Sequence, residues 1–302
     1  MGLRYHIGKN AVENHETASC FENASVSVLK AIMAITREKL ASVDPVWAQL
    51  RVEAETMAID EPALAGFIHA TILKHDRLEN ALSYLLARKL GGGDIDPLLA
   101  RETFEEALTG DAGIGDAIRA DLSAVFERNP ACHSFVEAFL YYKGFHALEC
   151  YRIGHWLWGH NRRALALFFQ SRISELFAVD IHPAAKLGRG IMIDHATGVV
   201  IGETAVVEDD VSMLHGVTLG GTGKGSGDRH PTIRRGVLLS MGAKILGNIE
   251  IGEYSRVGAG SVVLKSVPAG CTAVGIPAKL VNCTGPERPS QEMNHFFDDD
   301  TG

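Results

Sequence analysis

From Ile181 onward a small or branched apolar residue returns at every sixth position: Ile181, Leu187, Ile193, Val199, Ala205, Val211 and Val217. The series stops at a glycine-rich segment, Gly220 to Pro231, and resumes in a new phase at Leu239, Ile245, Ile251, Val257, Val263 and Ala269. A period of six fits neither a helix face nor an alternating strand. It is the signature of a parallel β-helix, in which each hexapeptide supplies one face and one corner. Three hexads then make a coil, and residues about eighteen apart are expected to stack. Aliphatic residues fill the narrow interior, while Gly, Asn and Asp suit the corners. The segment from Gly221 to Arg235 must leave the coil as a loop.

Upstream the period is helical. Leu29, Ile32, Met33, Ile35 and Leu40 return at near-helical spacing. A helix begins at Val46-Trp47, with Asp44 as its cap and Pro45 in its first turn. Further helices are expected over Pro62–Lys74, Asn80–Leu90, Pro97–Leu108, Ile114–Phe126, Phe135–Tyr142, Ala147–His160 and Arg162–Phe177. Gly91-Gly92-Gly93-Asp94 stops the helix that ends at Leu90, and Arg128-Asn129-Pro130-Ala131 is a turn. Tyr151, Trp156 and Trp158 read as core or subunit-contact residues. The chain thus divides into a flexible leader (1–25), a helical oligomerisation domain (26–177), a left-handed β-helix with a protruding Gly-rich loop (178–284) and a flexible acidic tail (285–302). Met33 is an alternative start.

Composition narrows the class of partner. The net charge is −8 without a long basic run, which argues against nucleic acid and anionic membranes. An anionic ligand needs a local cationic patch, and Lys224, Arg229, Arg234 and Arg235 of the loop supply one. No segment has the length and apolarity of a targeting signal or membrane span. Cys20, Cys132, Cys150, Cys271 and Cys283 are dispersed without a CxxC pair, so all five are expected as thiols in the reducing cytoplasm.

Stacking at eighteen places Asp180 under position 198, with His195 three residues earlier, so the two should approach one corner from adjacent turns. A carboxylate there would hold the imidazole tautomer and leave the other nitrogen as a general base. Asp194 is expected to point away from the ring and to serve a substrate ammonium. His215 opens a face over Thr197 at the same corner.

Several stretches carry a family resemblance. They are Asp180-Ile181-His182-Pro183-Ala184-Ala185-Lys186, Asp194-His195-Ala196-Thr197-Gly198, Gly202-Glu203-Thr204-Ala205, Val217 to Gly223, Gly227-Asp228-Arg229-His230-Pro231 and Gly242 to Asn248. Upstream, Tyr142 to Leu148 and Tyr151 to Trp158 belong with them. Together they resemble the serine acetyltransferases of the hexapeptide-repeat acyltransferase superfamily, from about Val46 to Ala278. The resemblance implies acetyl transfer from acetyl-CoA to the hydroxyl of L-serine, the first step of cysteine synthesis, without a metal or covalent enzyme intermediate. It implies His195 as base, oriented by Asp180, and Asp194 on the serine ammonium. Arg229 would pair with the carboxylate, for which a guanidinium fork is suited, and His230 would complete the pocket. CoA would lie near Gly221, Thr222, Met241, Ala259 and Arg256, between subunits of a homotrimer paired into a hexamer. L-cysteine is the feedback inhibitor so implied, and O-acetylserine sulfhydrylase the partner.

Two departures from the family pattern stand out. Asn129 replaces an aspartate that often helps to hold serine or cysteine, so weaker cysteine inhibition is expected. The chain ends Asp298-Asp299-Asp300-Thr301-Gly302 rather than in isoleucine, which weakens the case for the sulfhydrylase. Three other readings remain open: another hydroxyl acceptor, a β-helix metalloenzyme using His195, His215 and His230, and a non-catalytic scaffold.

Overall fold

The structure, a computed structural model, describes residues 39, 43–92, 94–223, 225–283 and 288–295. The expected leader, Cys20, Met33, Lys224, residue 284 and residues 285–287 and 296–302 of the expected tail lie outside them, as does most of the expected helix around Leu29 to Leu40. The described residues from Leu50 onward group as one compact unit.

Helices α1 (Pro45–Asp60) and α2 (Pro62–Ile68) come first, the latter running into a π-helical turn over His69–Leu73. They are followed by α3 (Leu78–Leu90), α4 (Pro97–Gly110), α5 (Ala112–Arg128), α6 (Phe135–Tyr141), α7 (Lys143–Gly159) and α8 (Arg163–Phe177). Their starts follow local chemistry. Asp96 accepts from Leu98 N at 2.7 Å with Pro97 in the first turn, and Asp111 accepts from Gly113 N at 2.8 Å. Helix α7 begins four residues before the expected Ala147. It is buried on nearly every side, and packs on α4, α5, α6 and α8. Tyr151 lies in this core, whereas Trp156 and Trp158 are half-buried.

Three parallel sheets form the walls of a β-helix. The first stacks β1 (Val179–Ile181), β4 (Val199–Ile201), β7 (Thr218–Gly220), β10 (Lys244–Leu246) and β13 (Val262–Val263). The second stacks β2 (Lys186–Leu187), β5 (Val206–Val207), β8 (Thr232–Ile233) and β11 (Glu250–Ile251). The third stacks β3 (Met192–Ile193), β6 (Ser212–Met213), β9 (Leu238–Leu239), β12 (Arg256–Val257) and β14 (Thr272–Gly275), and is closed by antiparallel β15 (Ala278–Asn282). The hexad residues fill the interior, except that Leu187 is half-exposed and Ala269 exposed in the terminating coil.

The register corrects the uniform stack. Val200 pairs with Thr218, eighteen residues on, but Asp180 pairs with Val200, twenty on, and Thr218 with Lys244, twenty-six on. The last excess is the Gly-rich loop. The first lies between β3 and β4, in Asp194-His195-Ala196-Thr197-Gly198, because the corresponding turn from β6 to β7 is two residues shorter. Asp180 is therefore not under position 198, and it and His195 are not brought together by stacking.

Two further expectations are corrected. Cys271, before β14, and Cys283, after β15, form a disulfide, while Cys132 and Cys150 are free and buried. Their spacing of twelve carries no sequence signal, because they meet only when β15 folds back on β14. Part of the tail is also packed. Helix α9 (Pro289–Glu292) lies on α5 and β6, Ser290 O accepts from Ser212 Oγ at 2.7 Å, and His295 Nδ1 lies 2.9 Å from Ser240 Oγ.

Helical and β-helical parts are joined by a buried ionic cluster. Asp121 of α5 receives Arg152 Nε at 2.8 Å and Ile191 N at 2.7 Å, and Arg152 also donates to Gly188 O at 2.7 Å. Glu149 lies 3.4 Å from Arg152 Nε, and burial, reinforced by the Asp121 charge, raises its carboxyl well above the usual range. The N-terminus of α7 also meets the first coil, since a Cβ on Gly144 would stand 1.9 Å from Ile193 O.

Candidate active site

The two extra residues build the first of two chemically loaded corners. His195 and Ala196 both take positive φ, 56° and 60°, a conformation that non-glycine residues adopt only under constraint. Ala196 is buried inward, and the His195 side chain stands 72% exposed. The carboxylate beside its ring in the same chain is Asp194, with Oδ2 3.5 Å from Nε2. The expectation that Asp194 points away is therefore wrong. Asp194 Oδ1 accepts from Asn129 Nδ2 and from His195 N, both at 3.0 Å, which turns Oδ2 toward the ring. Asn129 in turn accepts from Ala131 N at 2.9 Å, so its carbonyl closes its own turn. The asparagine thus holds Asp194, and it brings no carboxylate charge of its own beside it.

Above this corner the coil repeats. Gly216 N donates to Thr197 O, Gly242 N to His215 O and Gly260 N to Met241 O, each at 2.8–2.9 Å. Thr197, His215, Met241 and Ala259 therefore rise in one column, with His215 packed edge-on to His195 at 5.8 Å between centroids. Lys143, carried in by the close approach at Gly144, donates to Thr197 Oγ1.

The second corner lies at the other end of β4. Thr204 organises it: its Oγ1 accepts from Arg229 N at 3.0 Å and His230 N at 3.2 Å, and its N donates to His230 Nδ1 at 3.2 Å. That donation makes Nδ1 the acceptor and places the ring proton on Nε2. His230 is only 8% exposed. Burial, and then the adjacent Arg229, push its pKa down, so the ring is a neutral donor. Its Nε2 edge leaves no room at Gly202, where a Cβ would stand 2.0 Å away, and abuts Gly221. Arg229 donates to Glu203 at 2.6 Å, and that guanidinium holds the Glu203 carboxyl below its ordinary range. His182, half-buried beside them, is also shifted down, chiefly by burial.

Asp180 sits on the face between these corners. Its Oδ1 accepts from Gln170 Nε2 of α8 at 2.7 Å, and no hydrogen bond or ion pair links it to His195 among the described residues. Of the residues expected at CoA, Met241 and Ala259 belong to the first corner, Gly221 and Thr222 to the second. Arg256 is 8% exposed, with Nε donating to Thr272 Oγ1 at 3.1 Å inside the third sheet. The three histidines of the metal reading divide between the corners, and among the described residues no group of three or more His, Cys, Asp or Glu converges as a metal requires. Sequence reasoning missed the roles of Gln170, Glu203, Thr204 and Lys143. The Gly202-Glu203-Thr204 run, one of the stretches that carry the resemblance, was the available signal for two of them.

Comparisons with known proteins place the chain in a family. Residues 46–150 match the model of the serine acetyltransferase N-terminal region, and residues 230–265 that of the bacterial transferase hexapeptide with six repeats. A serine acetyltransferase of Salmonella typhimurium is 56% identical over 252 residues, covering 83% of this chain and 92% of that one. A serine acetyltransferase solved in complex with cysteine superposes with a TM-score of 0.83 at 54% identity, over 84% of this chain and 98% of that one. The Brucella abortus enzyme solved with coenzyme A gives 0.80 at 51% identity, over 82% and 98%. At this identity and coverage, and with the helical region and the β-helix superposing over most of the chain, the chain belongs to the serine acetyltransferase family.

Proposed function

We propose that acetyl transfer from acetyl-CoA to L-serine takes place where the first corner of one subunit meets the second corner of its neighbour. The observation that carries this reading is the division of the site: His195, Asp194, Met241 and Ala259 lie at one corner, and Arg229, His230 and Gly221 at the other. A β-helix with flat walls suits a closed ring of identical subunits. The quaternary plan we propose is a trimer through the β-helix, paired through the helical domain into a hexamer.

The serine hydroxyl loses its proton to the free His195 nitrogen as its oxygen attacks the thioester carbonyl. The tetrahedral intermediate collapses, the C–S bond breaks, and the imidazolium returns the proton to the leaving CoA thiolate. O-acetylserine and CoA result. Asp180 orients the imidazole across the junction. Asp194 faces the serine ammonium, and Arg229 with the Nε2–H of His230 binds the carboxylate. CoA lies along the column of Met241 and Ala259, against Gly221 and Thr222 of the neighbour. L-cysteine carries the same ammonium and carboxylate and therefore competes for these groups. We place the enzyme in the cytoplasm because its donor is an intracellular metabolite. No described helix is long and apolar enough to cross a membrane.

Mixed oligomers test the shared site. Chains bearing His195→Ala and chains bearing Arg229→Ala, each inactive alone, should regain about one quarter of wild-type activity when co-assembled, since random mixing restores about one junction in four. Mixed oligomers that stay inactive would place the whole site within one chain.

A further inference from the structure

Asp180 owes its orientation to one side chain of the helical region. Gln170 donates Nε2 to Asp180 Oδ1 at 2.7 Å. A carboxylate only accepts, so the amide must present its NH2 and the contact has one sense. The donor stands on a rigid element. Helix α8 buries Ala166, Phe169, Ile173 and Phe177, and ends at Ala178 in a left-handed conformation directly before β1. Ten residues of fixed helix and cap therefore set the distance from donor to acceptor. Gln170 also shares an open groove of about 550 Å³ with Leu167, Ser171, Ser174, Glu175 and Asp180. The nearby Glu175 accepts from Arg172, and among the described residues lining that groove it is Gln170 whose side chain bonds Asp180.

We infer that Gln170 is a positioning residue for acetyl transfer. By occupying Oδ1 it fixes the carboxylate plane and leaves Oδ2 for the His195 imidazole of the assembled site. This rests on the reading of Asp180 as the group that orients His195.

A double-mutant cycle on the full-length oligomer tests it, with kcat and both KM values measured for each variant. Gln170→Met keeps the side-chain volume and should lower kcat about tenfold or more, since a hydrogen bond to a charged group is lost, with KM for acetyl-CoA within about twofold. Gln170→Glu puts a like charge against Asp180 and should lower kcat further. Added to Asp180→Asn, Gln170→Met should cost nothing more. The inference is overturned when Asp180→Asn lowers kcat but both Gln170 variants leave it unchanged. It is also overturned when the two losses multiply, because Gln170 then acts only as a helix anchor. An Asp180→Asn variant with full kcat would instead remove the reading of Asp180, and the role of Gln170 with it.

Discussion

Two histidines at opposite ends of β4 are built in contrary ways. His195 sits on the two residues by which its coil exceeds its neighbour, at positive φ, with its ring 72% exposed. His230 is 8% exposed, locked through Nδ1 to Thr204 and pressed against Gly202 and Gly221. A base must gain and lose a proton within each turnover, so its ring has to meet substrate and tolerate charge. A recognition donor serves best when its protonation never changes, and burial beside Arg229 keeps His230 neutral. Excess chain makes the first kind of site, and close packing the second.

The contrast breaks most readily at the base. His195→Ala should lower kcat about 10³-fold with the fold intact, whereas His230→Ala should lower kcat/KM for serine by about 10- to 100-fold. Equal losses in the two variants would erase the division of roles. Glycine substitutions sharpen it next. Gly202→Ala drives a methyl into the His230 ring and should reproduce the His230→Ala loss, at a stability cost of about 1–3 kcal/mol. Gly198→Ala, where a Cβ meets only the Gly216 backbone, Cα at 3.7 Å and N at 4.0 Å, should show the strain of its φ of 77° in thermal unfolding but keep serine kinetics within a few-fold. Smaller again is Asn129→Asp. A second carboxylate beside Asp194 favours an ammonium, so the inhibition constant for L-cysteine should fall about tenfold. An unchanged constant would show that the charge at this turn does not govern inhibition.

The smallest effect is on stability against pH. The folded pKa of His230 lies below its unfolded value, so the unfolded chain binds more protons between the two. The stability that neutral His230 contributes is present above pH ~6.5 and is lost as pH falls through the folded value. His230→Gln should flatten that part of the thermal unfolding profile. A profile identical to that of the wild type would show that the ring is not held neutral by the fold.

The interior of the β-helix was legible because a solenoid is specified locally. Each of Val199, Ala205, Val211 and Val217 is buried by neighbours that repeat the same rule. The helices were legible through caps such as Asp96-Pro97, which act within one turn. The site was legible only in its residue types. A uniform stack misplaced Asp180, because the two-residue excess lies in the very motif that was being located. Asp194 was misaimed for a related reason: the direction of a corner side chain depends on Asn129, 65 positions earlier. The Cys271–Cys283 disulfide and the packing of Ser290 depend on chain reversals that leave no periodic trace.

By itself, then, the sequence determined a helical region, a hexapeptide solenoid interrupted by a glycine-rich loop, and the residue types of a proton-transfer and anion-binding site. Periodicity, capping and composition are short-range properties. Tertiary structure alone decided which corner each group occupies, that Asp194 rather than Asp180 stands beside His195 within a chain, that His230 is a neutral donor, and that Gln170 holds Asp180. These depend on coil register and on contacts between distant segments. A shift of two residues in one turn reassigns every partner along the wall, whereas the apolar interior absorbs it without changing what is buried.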